Sequence, residues 1–446
     1  MPVSSSARKA LLPVVLLSAL ALPGPAATAR AAAEPATAEL PISSAADIVV
    51  DHEHQRLYIS DPADSSVLVT DYAGSVVTDI PEQPGAAGLA LSDTFLYVAL
   101  PDADAISVIN TQTLQETARY STGRGIEPRH LAYDGGRLWF GYDTSLVGKL
   151  GSVESDGFVR LDLDGPHGWQ SAPFLVMGGS GTLVAGAPGR TQTGQSVTEL
   201  QVYDATPSTP VPTAYTSQPV DPGSAGLSDM ALTNDGKDIV TAGTSSQGAR
   251  LFRTSDLGAD GTCTTAAAPD AVVTSVDGRI VTGSAGPTAQ DLSLFLPGDP
   301  AALRTYDLSG DVVPAGLAWD PFTSDLFALT QPSGGGPVTL HVTTPAKADT
   351  TLTLQAPDTA RRDEPLTLTG TLDSPLAIPD ATEVRVTRTD AASPDGVTVG
   401  TAGVSSLNTF TIDDVPPASG TVTYTVTYAG DAAHNAATAT ATVRID

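Results

Sequence analysis

Residues 85–123 read GAAGLALSDTFLYVALPDADAISVINTQTLQETARYSTG. Leu89-Ala90-Leu91 is followed by the polar turn Ser92-Asp93-Thr94, and Leu96-Tyr97-Val98-Ala99-Leu100 runs on to Pro101-Asp102-Ala103-Asp104. Ile106-Ser107-Val108-Ile109 leads to Asn110-Thr111-Gln112-Thr113, and an alternating segment, Thr117 to Ser121, closes before Gly123. Short β-branched and aromatic runs bounded by Asp, Asn, Gly and Pro are what hairpins require. The stretch therefore predicts four strands in one up-and-down sheet.

The same unit recurs along the chain. Anchored on the apolar residue that opens its first strand, it appears at Ile48, Leu89, Leu131, Leu175, Met230, Val272 and Leu317, at separations of 41, 42, 44, 55, 42 and 45 residues. A second strand follows each anchor, as at Tyr58-Ile59-Ser60, Trp139-Phe140-Gly141 and Leu326-Phe327-Ala328. Third strands are read at Val67-Leu68-Val69, Ile106-Ser107-Val108, Gly157-Phe158-Val159, Leu200-Gln201-Val202, Ala249-Arg250-Leu251, Leu292-Ser293-Leu294 and Val338-Thr339-Leu340. A four-stranded sheet has two faces to bury, and radial stacking of copies buries both without helices. The count predicts a seven-bladed β-propeller over residues 34–344. Six or eight blades are the alternatives, because the fourth unit carries a polar insertion, Thr191 to Ser196 plus Thr206 to Pro222. The seventh unit shows three strands only, so residues 37–42 are expected to supply its outer strand and close the ring.

From Thr350 the texture changes to strict polar–apolar alternation, as in Leu366-Thr367-Leu368-Thr369 and Val422 to Tyr428. Period-2 strands with one wet face, with turns at Asp395-Gly396 and Gly430-Asp431, predict an Ig-like β-sandwich over residues 350–446. Pro345 to Asp349 is read as the linker. The fold class is thus all-β, a seven-bladed β-propeller followed by an Ig-like β-sandwich.

Leu57-Tyr58-Ile59-Ser60 and Leu96-Tyr97-Val98-Ala99, each followed by an aspartate-bearing turn and a Val-rich strand, resemble the YVTN-type β-propeller repeats of secreted bacterial proteins. The resemblance covers residues 38 to 344 and rests on the period, since no copy keeps the Tyr-Val-Thr-Asn signature intact. TTLTL near residue 350 and YTVTYAGD near residue 424 are similar to bacterial Ig-like domains. The propeller resemblance implies a binding or scaffold module, with some relatives acting as lyases or redox enzymes.

Bulk properties bound the function. The chain has 446 residues, 41% of them hydrophobic and 16% charged, with 42 Gly and 35 Pro to make turns. Its formal charge of −28 argues against nucleic acid and anionic membrane as partners, both of which need clustered Lys and Arg. Arg8 and Lys9 precede an apolar run, Ala10 to Leu22, that is too short for a membrane span. Residues 1–33 are therefore read as a signal peptide, with Ala27-Thr28-Ala29 and Ala31-Ala32-Ala33 as competing cleavage sites, and the protein as secreted. Cleavage there removes Arg8, Lys9 and Arg30 and no acid, leaving 19 basic against 50 acidic residues. Cys263 is the sole cysteine, so stability must come from burial and strand pairing.

Chemistry is sought where the first strands line the axis of the ring. The residues at their entry are Asp47, Gly88, His130, Phe174, Asp229, Ala271 and Gly316, with Arg129 and Asp270 adjacent. Asp47, Arg129, His130, Asp229 and Asp270 are the candidate binding set at the channel mouth; Asp47, His130 and Asp229 could also work as acid and base. His52-Glu53-His54 is read as a solvated turn rather than half a metal site, and Asp102-Ala103-Asp104 as a turn cap rather than a calcium loop. Gly178-Gly179-Ser180-Gly181 lacks the strand-to-helix setting of a nucleophile elbow. No cofactor and no metal are expected. The expected partner is an extracellular protein, glycan or cell-wall component, met by a monomer. A metal-assisted lyase or lactone hydrolase acting at the channel mouth is the alternative.

Overall fold

The computed structural model describes residues 36–446 apart from 166–167, 223, 225, 287–289 and 380. The leader read over residues 1–33, and His167, lie outside the described residues. Among the described residues there is no α-helix, and seven sheets have four strands each. Sheet one runs Asp47–Asp51, Arg56–Asp61, Ser66–Asp71 and Val76–Ile80, each strand antiparallel to the one before. The other six, numbered in chain order, open with Leu89–Leu91, Glu127–Asp134, Phe174–Gly178, Asp229–Leu232, Ala271–Thr274 and Asp311–Trp319. Every anchor read from the sequence falls in one of these opening strands.

Burial explains the pattern. The second and third strands of sheet one are buried almost throughout, whereas Val76–Ile80 is largely exposed. Middle strands buried on both faces read as continuous apolar runs, and the apolar clusters lie between sheets. Tyr58, Val67 and Val69 of sheet one pack with Leu89, Leu96 and Val98 of sheet two. Val184, Leu200 and Val202 of sheet four pack with Met230, Ile239 and Phe252 of sheet five.

Sheet seven takes its fourth strand from the other end of the chain. Ala36–Glu39 pairs antiparallel with Thr339–Val342, and the sheet order runs from this strand inward to Asp311–Trp319. Leu40 then donates its N–H to the Val338 carbonyl at 2.8 Å, and the Ile42 carbonyl accepts from Val338 N–H at 3.1 Å. Leu40 and Ile42 are buried among residues of sheets one and seven.

Two units differ from the sequence reading. In the third, the third strand is Gly148–Val153, and the segment read as that strand, Gly157-Phe158-Val159, leads into the short fourth strand Val159–Arg160. Gly148–Val153 carries two glycines, Gly148 and Gly151. Both are needed for close approach: a Cβ on Gly151 would lie 2.4 Å from Cζ of Phe140, and one on Gly148 only 1.9 Å from the Ser171 carbonyl oxygen. In the fourth unit, Ser196–Asp204 and Val211–Pro219 are nine-residue strands, so part of the polar insertion, Ser196 and Val211–Pro219, extends the sheet.

The C-terminal region forms two sheets around one core. Thr351–Leu352, Leu366–Asp373 and Thr409–Asp414 make the smaller. Thr359–Ala360, Ala437–Ile445, Gly420–Tyr428, Glu383–Asp390 and Ser393–Gly403 make the larger, in that order. Leu368, Leu372, Phe410, Val386, Tyr424 and Val443 meet between them. The Asp395-Gly396 pair lies within Ser393–Gly403 rather than at the hairpin end. The register slips there, between Arg388 and Asp390 on the partner strand, because Gly396 takes φ +83° inside a bulge.

Candidate functional site

The opening strands of all seven sheets contribute to one axial cavity of about 410 Å³, bordered by Leu131, Leu175, Met230 and Leu317 among others. Most of the residues around it are aliphatic in type, and two carboxyl groups, Asp47 and Asp229, line it. Register places the candidate positions at one level. Asp47 faces Ser60, His130 faces Gly141, Phe174 faces Gly186, Asp229 faces Ala242 and Ala271 faces Gly283 on the second strands.

Asp47 and Asp229 make the same contacts. Asp47 Oδ1 accepts from Ile48 N–H at 2.8 Å, and Oδ2 accepts from Leu89 N–H, the anchor of the next sheet, at 2.7 Å. Asp229 Oδ1 accepts from Met230 N–H at 2.8 Å, and Oδ2 from Val272 N–H, again the next anchor, at 2.8 Å. Each carboxyl thus ties its own opening strand to its neighbour's. Both keep a little accessible surface, yet protein surrounds them, and loss of hydration dominates. Desolvation pushes Asp47 up to about 7 against the two N–H donors. Desolvation pushes Asp229 up to about 8, with the charge of Asp47 adding to it.

Gly88 makes the equivalent link with its backbone. Its N–H donates to the Arg129 carbonyl at 2.8 Å, and a Cβ there would sit 2.4 Å from that oxygen. No side chain fits between sheets two and three at this point.

The remaining candidates do not converge on the two carboxyls. The His130 ring lies 4.0 Å from that of Phe174, tilted by 32°, so these residues join sheets three and four by ring contact. Desolvation pushes His130 down to about 4; Asp143 opposes this and Arg129 adds to it. Arg129 turns away to Asp143, Nε to Oδ2 at 2.5 Å, and to Glu127, Nη2 to Oε2 at 2.9 Å. Asp270 accepts from Ala285 N–H at 2.9 Å, and desolvation raises its pKa, with the charge of Asp311 contributing. The structure therefore pairs Asp47 with Asp229 across one cavity and assigns Arg129, His130 and Asp270 to separate local contacts.

A second opening, about 540 Å³, lies where the strand pairs turn in sheets one to three, with Asp51, His52, Glu53, Asp93, Tyr133 and Asp134 among its lining. Tyr133 stacks on Tyr97 at 5.4 Å between ring centres. The two imidazoles of the His52-Glu53-His54 turn are each held by a different aspartate. His52 Nδ1 meets Asp320 Oδ2 at 2.9 Å, and His54 Nδ1 meets Asp51 Oδ2 at 2.9 Å. Tyr72 donates to Asp320 as well. Asp104 takes φ +48° and accepts from Gly125 N–H at 3.0 Å, which is turn capping. Sequence reading concentrated on the entry of the first strands and so missed Tyr133 and Met177 at the far end of the channel; the signal present was an aromatic or sulfur side chain at the strand exit. Among the described residues no group of three or more His, Cys, Asp or Glu is arranged to hold a metal ion.

Against solved structures, the chain is similar to the β-propeller domain of Myceliophteria thermophila Cps50 (Swd1), at 12% identity and a TM-score of 0.50, covering 69% of this chain and 99% of that one. The fold is that of a β-propeller. Kuenenia stuttgartiensis hydrazine synthase matches at 16% identity and a TM-score of 0.48, covering 66% of this chain and 94% of its own. Kluyveromyces lactis Hsv2 matches at 12% and 0.43, over 66% and 98%. No protein-family model and no curated protein matches the chain. At these identities the likeness extends to the fold alone.

Proposed function

We propose that this chain is a secreted bacterial binding or scaffold protein of the YVTN-repeat type, a seven-bladed propeller carrying one Ig-like domain. The observation that carries the reading is how the candidate polar residues are used. Both oxygens of Asp47 and of Asp229 hold backbone N–H groups of adjacent sheets. Arg129 is paired with Glu127 and Asp143, and Asp270 with a backbone N–H. A catalytic set would need its groups to converge on one reacting atom; Arg129 and Asp270 are committed elsewhere, and the two carboxyls that line the cavity use both oxygens on backbone N–H groups. The ring then serves as a rigid support. Specificity lies in the turns and outer strands, where an extracellular protein, glycan or cell-wall component docks on the monomer. No helix among the described residues is long and apolar enough to cross a membrane. Co-sedimentation of the purified full chain with isolated cell walls, together with binding to a panel of soluble cell-wall glycans and proteins, tests the proposal. Saturable retention supports it. Absence of binding across both formats, with substrate turnover detected instead, sinks it.

One observation favours the second reading, an enzyme such as a lyase or lactone hydrolase at the channel. A carboxyl group poised near neutrality in a cavity can donate or take a proton, and Asp47 and Asp229 are pushed to about 7 and about 8. Replacing both by Asn separates the readings. An enzyme of this kind loses turnover while staying folded, whereas a scaffold keeps its binding and changes only in stability.

A further inference from the structure

Residues 345–349, within the seven-residue segment between the last strand of sheet seven and the C-terminal sandwich, are a short, proline-opened connection of the kind that usually lets two modules swing. The contacts they make point the other way. Pro345 and Ala348 are buried, and Ala346 packs against the cluster that contains Tyr306, Trp319 and Val281. Both backbone groups of Ala346 are held by the propeller. Its N–H donates to Tyr306 Oη at 3.2 Å, and its carbonyl accepts from Arg279 Nη1 at 3.3 Å. Two residues on, both backbone groups of Ala348 are held by the sandwich. Its N–H donates to the Ala433 carbonyl at 2.8 Å, and its carbonyl accepts from Asn435 N–H at 2.9 Å. Asn435 Nδ2 also reaches Asp349 Oδ1 at 3.0 Å, and Thr350 Oγ1 donates to the Asn435 carbonyl at 2.7 Å. Only Lys347 separates the two anchored residues, and its ammonium group donates to the Asp431 carbonyl.

Arg279 makes the propeller side of this junction. Its side chain is fully buried on the turn between the first two strands of sheet six. Asp277 neutralises it, Nη2 to Oδ2 at 2.6 Å and Nε to both oxygens at 3.0 Å. Its guanidinium lies 4.9 Å from the ring centre of Trp319 in sheet seven. A buried arginine is costly unless charge, hydrogen bonds and packing are all satisfied. Here the planar group spans a turn of sheet six, a ring of sheet seven and the connecting segment at once. Loss of the Ala346 carbonyl would leave a buried N–H without its acceptor.

We propose that residues 345–349 are a docked strap, anchored by Arg279 and Tyr306 on one side and by Ala433 and Asn435 on the other, which locks propeller and sandwich into a single rigid body. The inference does not depend on what either module binds. Its functional consequence is that two binding faces are presented at one fixed angle, so a partner must offer both epitopes in matching geometry. A flexible tether would instead accept many spacings, each at a reduced effective concentration.

The experiment is a pulsed electron–electron distance measurement on the full chain, spin-labelled at Gln112→Cys on an exposed turn of sheet two and Leu407→Cys on an exposed turn of the sandwich. Native Cys263 does not compete for label, being buried with its thiol pushed up to about 12 by desolvation. The strap gives one narrow distance peak. A six-residue Gly/Ser insertion between Lys347 and Ala348 leaves both modules intact and should at least double its width. Arg279→Met, with Tyr306→Phe beside it, should broaden the peak in the same sense while circular dichroism stays unchanged. A wild-type distribution as broad as that of the insertion variant overturns the strap. A narrow peak in a folded Arg279→Met, Tyr306→Phe double variant overturns the assigned anchor. Should the double variant fail to fold, the comparison of wild type with the insertion variant alone decides.

Discussion

The strand Ala36–Glu39 and the two residues buried behind it carry a sharp prediction about ring closure. Leu40 is 1% exposed and Ile42 6%, in a cluster that joins Ile48, Leu57 and Ile59 of sheet one to Phe327, Leu329 and Leu340 of sheet seven. Ahead of them, Ala38 fills the space above Gly74, where a Cβ would come within 2.4 Å of the Ala38 Cβ and where φ is +83°. The N-terminal strand thus contacts the first sheet while pairing with the last. Truncating a fully buried leucine costs about 2–5 kcal/mol, so Leu40→Ala alone should remove that much. With roughly 2–4 °C of Tm lost per kcal/mol in a somewhat smaller domain, the fall is on the order of 4–20 °C. A chain beginning at Asp47 loses Leu40, Ile42 and the whole ladder with Thr339–Val342, and should fall at least as far as the point variant. Thr37→Ala, at an exposed position of the same strand, is the control and should leave Tm unchanged. Scanning calorimetry and circular dichroism read the result, and a synthetic peptide spanning residues 36–43 should restore part of the loss when added to the truncated chain. Equal melting of the chains that begin at Glu34 and at Asp47 would refute the argument, because the cluster would then be stable without its N-terminal half.

The two channel carboxyls predict an unusual pH response. A carboxyl with its folded pKa raised, as for Asp47 to about 7 and Asp229 to about 8, stabilises the fold fully at low pH and loses that contribution as pH rises through the folded value. His130 and His341, both lowered by desolvation, act in the opposite sense at lower pH but are silent once the unfolded imidazole has lost its proton. From about pH 6.5 to 8, stability should therefore fall by at most about 1.4 kcal/mol per pH unit for each carboxyl still protonated. Urea midpoints measured across that range should show the slope in wild type and flatten in Asp47→Asn, Asp229→Asn; a flat wild-type profile contradicts the assignment. Gly88→Ala should cost about 1–3 kcal/mol by forcing sheets two and three apart, since its Cβ would meet the Arg129 carbonyl oxygen at 2.4 Å, and an unchanged urea midpoint would show that the sheets can separate there freely.

The fold was legible because burial in this architecture repeats at short range. Each unit writes its first and second strands as apolar runs separated by a turn, and the anchors at Ile48 through Leu317 all fall in opening strands. Reading failed where glycine serves packing rather than turning. Gly148 and Gly151 lie inside a strand because Ser171 and Phe140 press against them, and neither neighbour is adjacent in sequence. It failed again at Asp395-Gly396, a dipeptide that signals a hairpin end but here forms a bulge within a strand whose pairing continues on both sides.

The candidate site was legible in position and not in role, and the reason is the distance over which its hydrogen bonds close. An aspartate before an apolar strand at the mouth of a ring looks free to meet a ligand. Asp47 finds one of its two donors at its own strand and the other at Leu89, and Asp229 finds its second at Val272, one whole repeat onward in each case. Where the position is Gly88, the backbone N–H reaches the next unit directly at Arg129. The same junction between neighbouring opening strands is thus made by a carboxylate in two places and by a peptide group in a third. Two different residue types, aspartate and glycine, satisfying one geometric need is the mark of a framework position, because a ligand site would have selected for the chemistry of the side chain rather than for the span it bridges. Variation at these positions should accordingly follow the spacing between adjacent sheets, and specificity should be sought in the turns and outer strands that the junctions hold in place.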